Sequence, residues 1–207
     1  MKYTTQAEMH EYLTDKHFPH TYAHMVYNDL FEPIQGEVKK YLEIGVHYGG
    51  SVLLARDYFY NATIYGSDIK APNWRLKDAK RIIHVMGDGY SKEVADMFPN
   101  DLDIIIEDGS HRVPDQIKAL QLYVPKLKVG GYLIIEDILQ PIQENFEKLD
   151  EVMKYFDGYE VTKYEGPGYF RHAHSSHEEE AMKEIKEHGE LVTMNYDDNL
   201  YIVQRIK

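Results

Sequence analysis

Short apolar runs alternate with longer amphipathic segments through the middle of the chain. The apolar runs predict five strands, at residues 41–44, 63–66, 82–85, 102–106 and 132–135. Apolar positions at helical spacing predict helices at residues 51–60, 91–98, 113–125 and 143–156. The Lys-Val-Gly-Gly segment at 128–131 predicts a turn that leads into the fifth strand. Strands and helices that alternate at these lengths are typical of βαβ units, so the pattern predicts an α/β fold with a parallel sheet covered on both faces.

The two ends of the chain depart from this alternation. Before the first strand, the pattern predicts helices at residues 4–15 and 22–31 with a polar, histidine-rich junction between them. After the last helix, strand-like alternation returns at residues 159–164 and 199–206, on either side of a Gly-Pro-Gly loop, a histidine-rich patch at 171–177 and an acidic helix. The two late strands predict an antiparallel, hairpin-like addition at one edge of the sheet.

Length, charge and composition narrow the class of protein. The 207 residues fit one domain, which we expect to consist of N-terminal helices at 1–38 and a core at 39–207. The formal charge of −12 argues against general nucleic-acid binding, which needs clustered Lys and Arg. The absence of cysteine excludes disulfides, thiolate metal sites and cysteine nucleophiles, and it agrees with a cytoplasmic location. We find no signal-peptide pattern and no apolar stretch near the roughly 18–20 residues of a spanning helix, so we expect no membrane contact.

A glycine-containing loop follows the first predicted strand and opens the first core helix. It runs from Glu43 through Gly45 to Gly49, and glycines let a backbone approach a ligand closely because no Cβ intervenes. The spacing departs from the Gly-x-Gly-x-x-Gly loop that places a pyrophosphate at a helix N-terminus. The Glu43 carboxylate would repel a phosphate, so the loop favours a ligand with a cationic group.

Two aspartates end the next two strands. Asp68 follows the second strand, where a carboxylate can accept hydrogen bonds from both hydroxyls of a ribose, and Asp88 follows the third, close to where an adenine would lie. In open parallel sheets, ligands bind just beyond the carboxyl ends of the strands. An Asp after a strand is also a common helix cap, and that alternative stays open for each residue alone.

These segments resemble the class I S-adenosylmethionine-dependent methyltransferases, whose marks are an acidic-x-Gly-x-x-x-Gly loop, an acidic residue after the second strand and Gly-Gly before the fifth. The resemblance implies a Rossmann-like, seven-stranded sheet with five parallel βα units and two C-terminal strands, the last antiparallel. It also implies S-adenosylmethionine as the cofactor, with Glu43 near the ammonium of its methionine part. The implied cofactor-binding residues are Glu43, Gly45, Gly49, Ser51, Asp68, Ile69 and Asp88.

Carboxylates and one imidazole follow the fourth and fifth predicted strands. Asp108 and His111 come after the fourth, and Glu136 and Asp137 come after the fifth. Because those strands should be neighbours, the four side chains can converge. Three oxygen ligands favour a hard cation, Mg²⁺ first and Mn²⁺ or Ca²⁺ next, and an imidazole is a competent base at neutral pH. A local turn at 108–111 and a helix cap at 136–137 are the structural alternatives.

This second group narrows the resemblance to the metal-dependent sugar O-methyltransferases of the macrolide-antibiotic and rhamnosyl type. It covers residues 14–139 and includes the Thr-Asp-Lys segment at 14–16. The resemblance implies that Asp108, Glu136 and Asp137 bind Mg²⁺ and that His111 is the general base. It further implies an acceptor sugar, such as the deoxyhexose rhamnose on a glycan or a glycosylated metabolite.

Other functions stay open on the sequence alone. A catechol-type or other small-molecule O-methyltransferase also uses a metal and carboxylates. A non-catalytic nucleotide- or sugar-binding module could share the fold, and an NAD-dependent dehydrogenase is disfavoured by the loop spacing. A homodimer is an open alternative to a monomer.

Overall fold

The structure is a computed structural model that describes residues 2, 3, 12, 14, 16, 22–166 and 199–207. Most of the predicted helix at 4–15 lies outside the described residues, as do the histidine-rich patch at 171–177 and the acidic helix that follows it.

A seven-stranded sheet forms the centre of the described structure. Its strands are β1 (Lys40–Ile44), β2 (Thr63–Asp68), β3 (Ile82–Met86), β4 (Leu102–Glu107), β5 (Leu127–Ile135), β6 (Tyr159–Tyr164) and β7 (Leu200–Arg205). They are arranged in the order β3-β2-β1-β4-β5-β7-β6. The neighbours among β1 to β5 pair in parallel, whereas β7 pairs antiparallel with both β5 and β6. The predicted sheet and the hairpin-like addition at its edge are both confirmed.

The predicted turn at 128–131 is wrong, because these residues belong to β5. The pairing of β5 with β4 shifts register between Leu102 and Ile104, which marks a bulge. A Cβ on Gly131 would lie 2.8 Å from the carbonyl oxygen of Leu102. Gly131 therefore permits a close, irregular pairing of β5 with β4, since glycine in a strand often marks a bulge or a close backbone approach.

Helices cover the two faces of the sheet. A π-helical turn (Ala23–Tyr27) continues into α1 (Asn28–Phe31), and the other described α-helices are α2 (Gly50–Tyr58), α3 (Lys92–Ala95), α4 (Val113–Tyr123) and α5 (Ile142–Met153). Short 3₁₀-helices follow α1 (Glu32–Ile34) and α4 (Val124–Lys126). The predicted helix at 91–98 is shorter than expected, although Ser91 caps it by accepting from the N–H of Val94. None of the described helices combines the length and the apolar character needed to cross a membrane.

Each face of the sheet buries its own apolar cluster. Successive side chains of a strand point to opposite faces. In β4, Ile104 and Ile106 belong to the cluster formed with α2 and with the N-terminal segment, the described residues before β1. Ile105 belongs to the cluster formed with α4 and α5 on the other face. All six residues of β4 are buried. The three consecutive isoleucines at 104–106 fit a central strand whose two faces are both covered.

The register of the parallel strands aligns their carboxyl ends. Ile44, the last residue of β1, pairs with Ser67 on one side and Glu107 on the other, and Glu107 pairs with Ile135. The residues that come next are Gly45, Asp68, Asp108 and Glu136. These four positions therefore lie side by side along one edge of the sheet.

Gly45 allows the loops after β1 and β4 to come into contact. Its φ is +92°, and a Cβ at this position would lie only 2.0 Å from the carbonyl oxygen of Asp108. A side chain here would be strained by the backbone conformation and would also collide with backbone atoms.

Alanine substitutions at two glycines separate these two effects. Gly130 has a similar φ of +85° but has no atom within 4 Å of its Cβ position. We expect Gly130→Ala to lower the free energy of unfolding by about 1–2 kcal/mol through backbone strain alone. Gly45→Ala should lower it by about 1–3 kcal/mol more, because the Asp108 backbone must move. Urea unfolding measures both variants, and equal losses would contradict the role of close approach.

Candidate active site

A cavity of about 570 Å³ opens at the carboxyl edge of the sheet. Its wall consists of Thr14 and of parts of four loops, at residues 44–51, 67–70, 87–90 and 108–111. Seven of the residues predicted to form the site lie on this wall. They are Gly45, Ser51, Asp68, Ile69, Asp88, Asp108 and His111.

Glu43 and Gly49 lie behind the wall rather than on it. Glu43 is fully buried and accepts hydrogen bonds from the hydroxyls of Tyr41, at 2.7 Å, and of Ser51. Burial raises the pKa of Glu43, and the charge of Lys16 opposes this increase. Ser51 lies on the cavity wall, so its hydroxyl links the buried Glu43 to the cavity. The predicted contact of Glu43 with a ligand ammonium stays a prediction.

Asp68 joins the loops after β1 and β2. Its two carboxylate oxygens accept from the backbone N–H groups of His47 and Lys70, each at 2.8 Å. Asp88 is held in the same manner by the N–H of Tyr90, at 2.9 Å. Backbone donors thus orient both aspartates at the cavity without using other side chains, and the remaining lone pairs suit hydroxyl or amino donors of a ligand.

Asp108, His111 and Asp137 converge at one end of the cavity. One donor atom from each lies within 4.8 Å of the others, and Nδ1 of His111 lies 3.6 Å from Oδ2 of Asp137. All three side chains are half-buried. Two carboxylates and an imidazole at this separation fit a hard divalent cation such as Mg²⁺ or Mn²⁺. The Nδ1 atom of His111 is buried without a hydrogen-bond partner among the described residues, so it can bind a cation or a proton.

The backbone is strained at two of these positions. His111 and Asp137 both have φ of +54°, in the left-handed region that favours glycine. Such conformations cost of order 1–3 kcal/mol each and concentrate at functional sites. The strain turns the chain directly after β4 and β5 so that the two side chains face each other.

Glu136 lies outside this three-residue group, and the predicted metal set of Asp108, Glu136 and Asp137 stays a prediction. Glu136 is fully buried, and its oxygens accept from the ammonium of Lys16 and the hydroxyl of Tyr27. Burial raises its pKa, and the adjacent Lys16 opposes this increase. Neighbouring residues at a strand end project in different directions, so Glu136 contacts Lys16 and Tyr27 whereas Asp137 lies beside His111 and Tyr22.

A second network holds the loop that carries His111. Glu107 is buried and accepts from the hydroxyl of Tyr90 and from the N–H of Gly109, at 3.2 Å. The Tyr90 hydroxyl in turn accepts from the N–H of Ser110, at 2.8 Å. Glu107 and Tyr90 therefore fix the backbone of residues 109–110 directly before the histidine.

Sequence reasoning missed the partners of the predicted residues. Lys16, Tyr22, Tyr27, Tyr90 and Glu107 all contact residues of the site. Lys16 belongs to a segment noted for its resemblance, but nothing in the local pattern gave it a role. Glu107 is the last residue of a strand that is buried throughout. The sequence signal that could have identified it is a carboxylate directly after three isoleucines.

The buried carboxyl of Glu107 should make stability depend on pH. Burial raises its pKa from the ordinary value of 4.5 to about 8. Between these values the folded protein keeps a proton that the unfolded chain releases, so the stability from this group is complete below pH 4.5 and is lost as pH rises through 8. In chelator-containing buffer, wild type should lose up to about 1.4 kcal/mol per pH unit relative to Glu107→Gln.

Urea unfolding between about pH 5 and pH 8 measures this difference. Glu160→Gln, a change to an exposed carboxyl on β6, serves as the control and should keep the wild-type pH slope. Equal slopes for wild type and Glu107→Gln would show that Glu107 is ionised in the folded protein.

The central part of the chain matches a known family of domains. Residues 42–138 match the family model described as a methyltransferase domain. This stretch begins in β1 and ends just beyond β5. It therefore contains every loop of the cavity wall and the whole Asp108, His111 and Asp137 group.

Curated relatives are sugar-modifying enzymes by name. The chain is 30% identical over 135 residues to the 8-demethyl-8-alpha-L-rhamnosyl tetracenomycin-C 2'-O-methyltransferase of Streptomyces olivaceus, which covers 60% of this chain and 35% of that protein. It is also 30% identical over 122 residues to the mycinamicin VI 2''-O-methyltransferase of Micromonospora griseorubida, which covers 54% of this chain and 30% of that protein. The chain thus matches about a third of the length of these curated relatives.

Solved structures show the same fold. The MycE methyltransferase from the mycinamycin biosynthetic pathway, determined in complex with Mg and SAH, superposes with a TM-score of 0.64 at 22% sequence identity. The superposition covers 99% of this chain and 55% of that one. Together, these comparisons show a class I methyltransferase fold, a methyltransferase domain match over residues 42–138, and similarity of the chain to the sugar O-methyltransferases.

Proposed function

We propose that this protein is a metal-dependent O-methyltransferase that transfers the methyl group of S-adenosylmethionine to a sugar hydroxyl. The observation that carries the proposal is the convergence of Asp108, His111 and Asp137 at the edge of the cavity. A methyltransferase fold alone is compatible with many acceptors. A carboxylate and imidazole group beside the cofactor cavity favours an oxygen acceptor that must lose a proton.

The cofactor would occupy the part of the cavity formed by the loops after β1, β2 and β3. Asp68 is oriented to accept from the ribose hydroxyls, and Asp88 lies at the loop where the adenine would fit. Gly45 and Ser51 border the space left for the methionine part. The loop after β4, which carries His111, lines the same cavity and would therefore border a bound cofactor.

His111 has the position and the chemistry of a general base. Its imidazole would take the proton of the acceptor hydroxyl as the oxygen attacks the methyl carbon and the bond from carbon to sulfur breaks. Asp137, 3.6 Å from Nδ1, would stabilise the imidazolium that forms. Asp108 and Asp137 would hold Mg²⁺, which when bound supplies positive charge for an oxygen that is losing its proton. Positioning of the two reactants in the cavity should supply much of the remaining rate enhancement.

The names of the curated relatives support a glycoside acceptor. They describe O-methylation of a rhamnosyl tetracenomycin and of mycinamicin VI. We extend this to a deoxyhexose such as rhamnose, on a glycan or a glycosylated metabolite, as the acceptor of this chain. Neighbouring hydroxyls of such a sugar would fit a cation with two open positions.

An assay of methyl transfer to rhamnosides and to a catechol, with and without chelator, tests the proposal. We expect methylation of a rhamnoside, loss of activity on full chelation and recovery with Mg²⁺. Activity that survives chelation would overturn the role of the metal. Methylation of the catechol alone would reassign the acceptor class, and binding of S-adenosylhomocysteine without any turnover would favour a binding module.

Removal of the imidazole tests the base. We expect His111→Gln to lower turnover by about 10²–10⁴-fold, the usual contribution of a general base. The affinity for S-adenosylhomocysteine should stay at the wild-type value in calorimetry. His84→Gln is the matched control, because His84 lies on β3 outside the three-residue group. Wild-type turnover in His111→Gln would remove His111 from the mechanism.

A further inference from the structure

The N-terminal segment donates to every carboxylate of the predicted metal set. The ammonium of Lys16 lies 2.5 Å from Oδ2 of Asp108 and also contacts Oε2 of Glu136. The hydroxyl of Tyr27 donates to the other oxygen of Glu136. The hydroxyl of Tyr22 donates to Oδ1 of Asp137, at 2.8 Å. Three donors from one stretch of chain therefore meet carboxylates from the ends of two different strands.

The three donors are deeply buried, so their polar groups need partners inside the protein. Lys16, Tyr22 and Tyr27 are each 1% exposed, and Lys16 is the one buried Lys or Arg in the part of the chain that the structure describes. A buried ammonium is costly unless it is paired and hydrogen-bonded. Lys16 is paired with the carboxylates of Asp108 and Glu136. The ammonium and the two carboxylates therefore fix one another's positions.

Aromatic packing fixes the tyrosine hydroxyls. The ring of Tyr27 stacks on Phe31, with centroids 4.7 Å apart and planes at 28°, and it meets the edge of Tyr3 at 5.5 Å. Tyr22 lies against Tyr27 at 5.8 Å. Rings held in this manner leave their hydroxyls little freedom, so the oxygens that they contact are held in one orientation.

The contacts have the form of an outer shell around a metal site. Ligands of a metal are usually oriented by second partners, and loss of such a partner typically weakens metal binding by about 10–100-fold. Lys16 and Tyr22 each contact one oxygen of an aspartate that belongs to the Asp108, His111 and Asp137 group. Tyr27 acts one step further out, because it fixes Glu136, which in turn holds Lys16.

We propose that Lys16, Tyr22 and Tyr27 are positioning residues that hold Asp108 and Asp137 in the orientation that binds a divalent cation. The inference rests on the proposed metal-dependent function. It assigns a share of the metal affinity to Lys16, Tyr22 and Tyr27, none of which belongs to the Asp108, His111 and Asp137 group. The competing interpretation is that Lys16 is only a counter-ion, in which case its positive charge opposes the cation and its removal strengthens metal binding.

Titration with Mn²⁺ distinguishes the two interpretations. The protein is first saturated with S-adenosylhomocysteine, and Mn²⁺ binding is then measured by calorimetry for wild type, Lys16→Met and the hydroxyl deletions Tyr22→Phe and Tyr27→Phe. We expect Mn²⁺ affinity to fall by about 10–100-fold in Lys16→Met, with a loss in the same direction in both tyrosine variants. The affinity for S-adenosylhomocysteine should stay at the wild-type value.

Tyr41→Phe provides the matched control. It also deletes a tyrosine hydroxyl from a fully buried carboxylate, that of Glu43, but it leaves all the carboxylates of the metal set untouched. Its Mn²⁺ affinity should equal that of wild type. A weakening as large as that in Tyr27→Phe would show that any such deletion has this effect and would overturn the proposal.

The remaining outcomes separate this inference from the proposed function. Wild-type or tighter Mn²⁺ binding in Lys16→Met and in the tyrosine variants overturns the positioning role and leaves the metal function intact. Wild type that binds S-adenosylhomocysteine but no Mn²⁺ overturns both. If Lys16→Met does not fold, Tyr22→Phe and Tyr27→Phe decide the question, since each removes a single oxygen atom.

Discussion

The parallel register of β1, β2, β4 and β5 is the constraint on which the site depends. Parallel strands of matched register end at the same edge, and Gly45, Asp68, Asp108 and Glu136 therefore lie side by side there. Gly45 then brings the first and fourth loops into backbone contact, which a larger residue would prevent. The cavity and the carboxylate group are therefore parts of one continuous edge, and a change in the loop after β1 should also affect the loop after β4.

The site also contains features that oppose stability. Three of its non-glycine residues, His47, His111 and Asp137, have left-handed backbone, and Glu43, Glu107 and Glu136 are fully buried carboxyl groups. Each buried carboxyl is compensated by a tyrosine hydroxyl, and Glu136 also by Lys16. The abundance of tyrosine in this chain thus has a structural use, because a buried phenol fills apolar space and still donates a hydrogen bond. Polar networks of this kind hold orientation at the expense of stability.

The main elements of the fold could be predicted from the sequence because each is defined locally. The strand at 159–164 has the predicted limits, and the other strands differ by a few residues at their ends. The exceptions have local physical reasons. Gly130 and Gly131 indicate a turn by composition, but they lie inside β5, where Gly130 has a positive φ and the neighbouring strand approaches Gly131 too closely for a side chain. The helix predicted at 91–98 forms over Lys92–Ala95 alone, directly after the Ser91 cap.

The sequence by itself determined the α/β architecture, the loops at the strand ends and the presence of Asp68, Asp108, His111 and Asp137 at the site. Periodicity and residue type are local properties, and they suffice for that. Only the tertiary structure decided that Glu136 faces Lys16 and Tyr27 while Asp137 faces His111. These contacts join residues far apart in the chain, and their direction depends on backbone angles and packing that a linear pattern does not contain.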